Sequence, residues 1–225
     1  SNSKAFTATA LAMMDADKKI SLDDKVTKWI PSFKLENKAA GKQAIIRDLL
    51  CHRLGFQTFQ GAFTYWTSNL SRQEVIEKMS LIKATFPFRT KWGYTNAGFV
   101  VAGEIIPKAT GFLWEDYLKE KIFTPLGMSN TLALSKDFPN APNKCSAHTM
   151  ADGKLIKIPF CSIDNLAAAG SIGSSVNDMS HWVMAQLNRG KYNDQQGIPA
   201  AAIAQTLLPH SILGNGGHLY NTGHF

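Results

Sequence analysis

The sequence predicts an α+β protein, mainly helical, with one stretch of strands. Two observations carry this. Several segments place apolar residues at helical spacing between helix start and stop signals. One long stretch, residues 129–166, instead reads as strands and loops and contains the hairpin signal Asp152-Gly153. Composition agrees with a globular chain. Of 225 residues, 44% are hydrophobic and 18% charged, and that length buries a sizeable core in one or two domains.

In chain order, a helix is expected over about residues 3–16, where Phe6, Ala8, Ala10, Leu11, Ala12 and Met14 run with few breakers. Asp15, Asp17 and Asp23 mark a polar link to Val26-Thr27-Lys28-Trp29-Ile30, closed by Pro31. Residues 34–43 are expected to be mobile. Residues 45–51 form a short strand or helix ending at Gly55. Residues 56–70 are aromatic and irregular. There Phe56, Phe59, Phe63, Tyr65 and Trp66 are either core or the wall of a cleft. Ser71-Arg72-Gln73-Glu74 is a capping-box pattern opening a helix to about Met79. Further helices are expected over about 97–108, 114–122, 175–187 and 198–208, with Gly111, Gly127 and Gly190 as stops.

Chemistry concentrates in two short motifs. Ser1-Asn2-Ser3-Lys4 has the S-x-x-K form. Residues three apart share a helix face, so Ser1 and Lys4 would stand side by side at the first turn. A serine hydroxyl is a weak nucleophile without an adjacent base, and a desolvated lysine can become neutral and accept its proton. The motif recurs as Ser80-Leu81-Ile82-Lys83, just before Thr85-Phe86-Pro87-Phe88, where proline ends regular structure. Ser80 is therefore expected to be an ordinary polar residue near a helix end. The second motif is Tyr94-Thr95-Asn96. Its tyrosine could relay a proton, and its asparagine amide could bind a substrate amide. Alternatively, the tyrosine packs on the core and the asparagine caps a helix.

Together these segments resemble the serine β-lactamase and penicillin-binding-protein superfamily, in the branch with S-x-x-K and Y-x-N. That branch holds class C β-lactamases, DD-peptidases and related esterases. The resemblance extends through Lys19-Ile20-Ser21-Leu22-Asp23-Asp24-Lys25-Val26, Ile46 to Phe56 and Ile122 to Met128. It ends with Ala168 to Met179. It implies Ser1 as nucleophile, Lys4 as base, Tyr94 as proton relay and Asn96 as substrate amide binder. The reaction implied is acylation and deacylation of an amide or ester, with a β-lactam, a D-amino-acid peptide or a carboxylic ester as substrate. No cofactor is implied, and the setting implied is periplasmic or extracytoplasmic.

The chain also departs from the pattern. The third motif, K-T-G or H-x-G, is missing, and the nearest strings are Asn221-Thr222-Gly223 and Lys91-Trp92-Gly93. The resemblance implies that residues 1–225 form one partial domain of the β-lactamase/transpeptidase-like fold, mainly its helical region, with an incomplete antiparallel sheet that lacks the opening and closing strands. In the family that missing strand supplies an oxyanion donor. Loss of one such donor costs about 3 kcal/mol of transition-state stabilisation, so these residues alone are expected to be a poor catalyst. Two other readings stand beside this one. One is a crippled or non-enzymatic ligand-binding member. The other is an N-terminal nucleophile hydrolase that uses Ser1 and its own amine, although such enzymes carry their nucleophile on a strand.

Several function classes are excluded. Lysine and arginine exceed the acids by 24 − 17 = 7, but the charge is scattered and no basic stripe carries interleaved aromatics, which argues against nucleic-acid binding. Cys51, Cys145 and Cys161 are too few for a disulfide framework, and Cys51 beside Leu49 and Leu50 is expected in the core. No metal site is expected, and His210, His218 and His224 do not make one. No apolar run is long enough to span a membrane. Gly170-Ser171-Ile172-Gly173 lacks the ending a phosphate loop needs and is expected to be a turn before a helix. The sequence leaves the oligomeric state open.

Overall fold

Helix α1 (Ser3–Ala16) is buried over Ser3 to Met14, the mark of a helix surrounded on all sides. In this computed structural model the described residues are 1–62, 65 and 67–213, with 218–221 as strand backbone. The helices that surround α1 are α6 (Asn96–Thr110), α7 (Trp114–Leu118), α8 (Ala167–Gly170) and α10 (Ala200–Leu207). Aromatic packing fixes its first turns. The Phe6 ring stacks on Trp182, with centroids 4.0 Å apart, and meets Phe123 edge-on at 5.7 Å. Each such pair contributes about 0.5–1.5 kcal/mol beyond its buried area. Deeper in the core, Trp114 Nε1 donates to Thr7 Oγ1 (2.9 Å), and Thr7 Oγ1 donates to the Ala168 carbonyl (2.8 Å).

The remaining elements follow the chain. Short helices α2 (Val26–Trp29), α3 (Lys38–Gln43) and α4 (Ile46–Leu50) come first. Residues 38–43 are ordered as a helix, against the expectation of a mobile stretch. The Asn37 side chain caps α3 by accepting from Ala40 N at 3.0 Å, and Ala40 is buried beneath it. Helix α5 (Arg72–Met79) opens on the expected capping box. Ser71 Oγ accepts from Glu74 N, and the Glu74 carboxylate accepts from Ser71 N. Beyond α7 the chain continues as a π-helical segment, Lys119–Phe123. Helix α9 (Val176–Leu187) is capped by Ser175.

The strands make three separate antiparallel pairs among the described residues. They are β1 (Ala147–Ala151) with β2 (Lys154–Ile158), β3 (Lys191–Tyr192) with β4 (Gln195–Gln196), and β5 (Pro209–Leu213) with β6 (His218–Asn221). Asp152 and Gly153 turn the first hairpin with φ of 49° and 73°, as their sequence demands. The second pair is absent from the sequence expectation. Its turn is Asn193-Asp194, both with positive φ, a variant of the same signal.

Helices α6 and α8 cross closely. A Cβ on Gly103 of α6 would lie 2.5 Å from Ala168 Cβ of α8. Only the missing side chain allows that approach. It matters because α8 carries Ala169, whose carbonyl faces the site.

Candidate functional site

Ser1 stands at the head of α1 and is exposed, while Lys4, one turn on, is 1% exposed. Helical spacing places Lys4 Nζ 3.4 Å from Ser1 Oγ. The same ammonium donates to Asn96 Oδ1 at 2.7 Å and to the Ala169 carbonyl at 2.8 Å. It also sits over the rings of Tyr94 and Phe99, 4.7 and 5.4 Å from their centroids. Burial pulls its pKa from 10.5 down to about 7. Two carbonyl-type acceptors and two ring faces are among its contacts.

The Tyr94 hydroxyl donates to Ser1 Oγ at 2.8 Å. Burial raises the Tyr94 pKa, and the hydrogen bond to Ser1 pulls weakly the other way. Three of the sequence candidates, Ser1, Lys4 and Tyr94, thus meet around one oxygen. The fourth, Asn96, opens α6 and is bound to Lys4 through its oxygen. Its expected contact was a substrate amide. Its observed contact is with the lysine.

The turn before α6 is held tightly. Gly93 lies against the backbone of Phe56, and a Cβ there would run into the Phe56 carbonyl. Tyr94 O accepts from Phe59 N at 2.9 Å, and Tyr94 N donates to Thr58 Oγ1 at 3.3 Å. Arg89 anchors the approach through Nε and Nη2 to the buried carboxylate of Asp48 on α4, with Nη2 at 2.7 Å from Oδ2.

The other candidates fall elsewhere. Ser80 closes α5 and donates to the Glu77 carbonyl at 2.6 Å. Ser3 is 2% exposed and accepts from Ile172 N. Cys51 is buried in the core, where desolvation pushes its thiol up to about 12, while Cys145 and Cys161 are exposed and free. Of the aromatic segment, Phe56 and Tyr65 are core, and exposed Phe59 packs edge-on to Tyr94 at 5.3 Å. Phe63 and Trp66 lie outside the described residues, as do Thr222, Gly223 and His224 and the side chains of His218 and Asn221. The segment 170–173 is not the expected turn: Gly170 ends α8, Ser171 and Ile172 lead on irregularly, and Gly173 pairs with Leu132 in an isolated antiparallel bridge. No described helix is long and apolar enough to cross a membrane.

Sequence reasoning missed three contributors. The Ala169 carbonyl is a backbone group, invisible in side-chain identity. Phe99 looked like any apolar residue of α6. His52 lies inside the segment Ile46 to Phe56, whose resemblance to the family assigns it no role. A histidine at the end of a short helix, among apolar neighbours, was the available signal.

Comparison with known proteins places the fold and the family. The Beta-lactamase family model matches residues 1–215. Unguisins hydrolase ungD' of Aspergillus campestris is 28% identical over 225 residues, covering 93% of this chain and 41% of its own length. Penicillin-binding protein 4* of Bacillus subtilis is 31% identical over 134 residues, 57% of this chain and 28% of its own. The chain therefore spans less than half the length of these two curated relatives. A D-stereospecific amidohydrolase from Streptomyces sp. has the same fold, with a TM-score of 0.83 at 23% identity over 99% of this chain and 68% of that one. D-amino acid amidase from Ochrobactrum anthropi gives 0.75 at 25% identity, over 99% and 63%. A family model that covers nearly the whole sequence means that the chain belongs to the Beta-lactamase family.

Proposed function

We propose that this chain carries the acylation site of a serine hydrolase that cleaves an amide or ester through an acyl-enzyme. The observation that carries the reading is the meeting of Lys4 Nζ and Tyr94 Oη at Ser1 Oγ, 3.4 and 2.8 Å away. Ser1 is the nucleophile. With a pKa of about 7, much of the Lys4 amine is neutral at neutral pH. Its two N–H groups then suffice for Asn96 Oδ1 and Ala169 O, and its lone pair can turn to the serine hydroxyl.

In the acylation step Ser1 Oγ bonds to the substrate carbonyl carbon. The serine proton passes to Lys4, directly or through the Tyr94 hydroxyl. Tyr94 then delivers a proton to the departing nitrogen or oxygen as that bond breaks, and the proton that Lys4 took restores the Tyr94 hydroxyl. Water reverses the sequence in deacylation and releases the acid. Asn96 holds Lys4 through its oxygen and offers Nδ2 to the substrate. The first-residue amine mechanism fits less well, because Ser1 heads a helix rather than a strand.

Two solved relatives are named for D-amino acid or D-stereospecific amide substrates. Amides of D-amino acids are therefore the first substrates to assay, with β-lactams and simple esters beside them. The test is the intact mass of the protein before and after a fluorophosphonate or a fluorescent penicillin. One adduct, abolished by Ser1→Ala, is expected. Absence of any adduct with either probe leaves the ligand-binding, non-catalytic reading in its place.

A further inference from the structure

We propose that His52 is a positioning residue for the acylation site, holding the Tyr94 turn in register with Ser1. The proposal rests on the reading above, in which Tyr94 acts on Ser1 Oγ.

His52 follows the end of α4 and takes a left-handed conformation, φ 56°. It is the residue at which the chain reverses out of the helix, with Arg53 N donating back to Asp48 O at 3.0 Å. That reversal drives the imidazole under the Tyr94 turn, where it is 1% exposed. Three consecutive residues of the turn then rest on this one side chain and its peptide. Gly93 N donates to the His52 carbonyl at 3.0 Å. The Tyr94 ring stacks on the imidazole, with centroids 4.7 Å apart and planes at 30°. Thr95 N donates to His52 Nδ1 at 3.0 Å. The tyrosine is gripped by its own ring and by the residues before and after it.

The chemistry of histidine suits this position. Accepting the Thr95 N–H requires an unprotonated Nδ1. Burial, helped by the nearby Lys4 charge, lowers the imidazole pKa to about 3, so the ring stays neutral. Phenylalanine could stack but could not accept. Thr95 is itself buried, so its N–H would then lose its partner. Asparagine could accept, since its Oδ1 occupies nearly the place of Nδ1, and it tolerates a positive φ. It could not stack. Histidine alone supplies both functions with ease in this backbone conformation.

The distance that needs holding is the 2.8 Å between Tyr94 Oη and Ser1 Oγ, which spans two separate elements. A displacement of about 1 Å in such a contact can cost about 100-fold in rate.

The test uses the full chain with p-nitrophenyl acetate, reading kcat, KM and thermal unfolding for His52→Ala and His52→Asn. His52→Ala is expected to lower kcat by about 100-fold with KM within about threefold, and His52→Asn to recover about tenfold of that loss. The proposal is overturned if His52→Ala keeps at least half the wild-type kcat. It is equally overturned if the two variants are impaired alike and in proportion to lost stability. If His52→Ala does not fold, His52→Asn decides alone, and wild-type kcat in that variant overturns the proposal. Fluorophosphonate labelling of Ser1 in the wild type is run alongside. Failure to label Ser1 sinks the functional reading and this inference with it, whereas normal labelling with unaffected His52 variants sinks only the inference.

Discussion

Lys4 Nζ lies 2.7 Å from Asn96 Oδ1, a contact between residues 92 positions apart in the chain. It joins the S-x-x-K helix to the Y-x-N turn and makes the two motifs one site. The lysine is buried, and that desolvation is why its ammonium form is disfavoured.

Ser1 should be the residue that carries a fluorophosphonate adduct. Ser1 is exposed and its hydroxyl contacts Lys4 and Tyr94, whereas Ser3 is buried and Ser80 is spent on a helix carbonyl. Peptide mapping of the labelled protein checks this, and an adduct on Ser80 would sink the assignment.

Lys4→Ala and Tyr94→Phe should each lower kcat/KM by about 10²–10⁴-fold, the range of a general acid–base contribution. They act on one proton path, so the double variant should be little worse than the worse single. Steady-state kinetics on all three, set against their unfolding temperatures, decide it. Losses that multiply fully would mean two independent contributions.

The pH dependence follows from Lys4. The base must be neutral, so kcat/KM should rise with pH through about 7 and then level. Stability moves in the same direction. Folding depresses this pKa from 10.5 to about 7, so between those values the unfolded chain binds more protons and stability rises with pH. Below pH 7 the buried charge carries its full penalty. The stability gained by Lys4→Met over the wild type should therefore be largest below pH 7 and shrink toward pH 10.5. Urea denaturation at pH 6, 8 and 10 measures it, and a constant difference contradicts the shift.

Gly103→Ala should cost about 1–3 kcal/mol, the usual range for overpacking a filled core. The new methyl would meet Ala168, and the strain would pass to Ala169, whose carbonyl holds Lys4. The variant should thus also change the pH at which kcat/KM rises. A destabilised protein with an unchanged pH profile would show that α8 yields without moving its carbonyl.

Much of this protein was legible from sequence because the signals are local. Periodicity and caps located α1, α5 and α9, with Ser71, Glu74 and Ser175 where capping chemistry needs them. Asp152-Gly153 marked its hairpin because few residues tolerate positive φ. Ser1 and Lys4 were predicted neighbours because a helix turn puts them together. The structure alone decided the rest, because it depends on residues distant in the chain. Nothing local says that α8 brings the Ala169 carbonyl to Lys4 or that Asn96 turns its oxygen to the lysine. Nor does anything local say that the chain reverses at His52 to set an imidazole beneath Tyr94. Residues 38–43 show the same limit, since helix α3 is stabilised by its cap and by burial of Ala40 against a core that no local pattern reveals. Sequence determined which groups could do chemistry. Tertiary packing decided that they meet, and it desolvated Lys4.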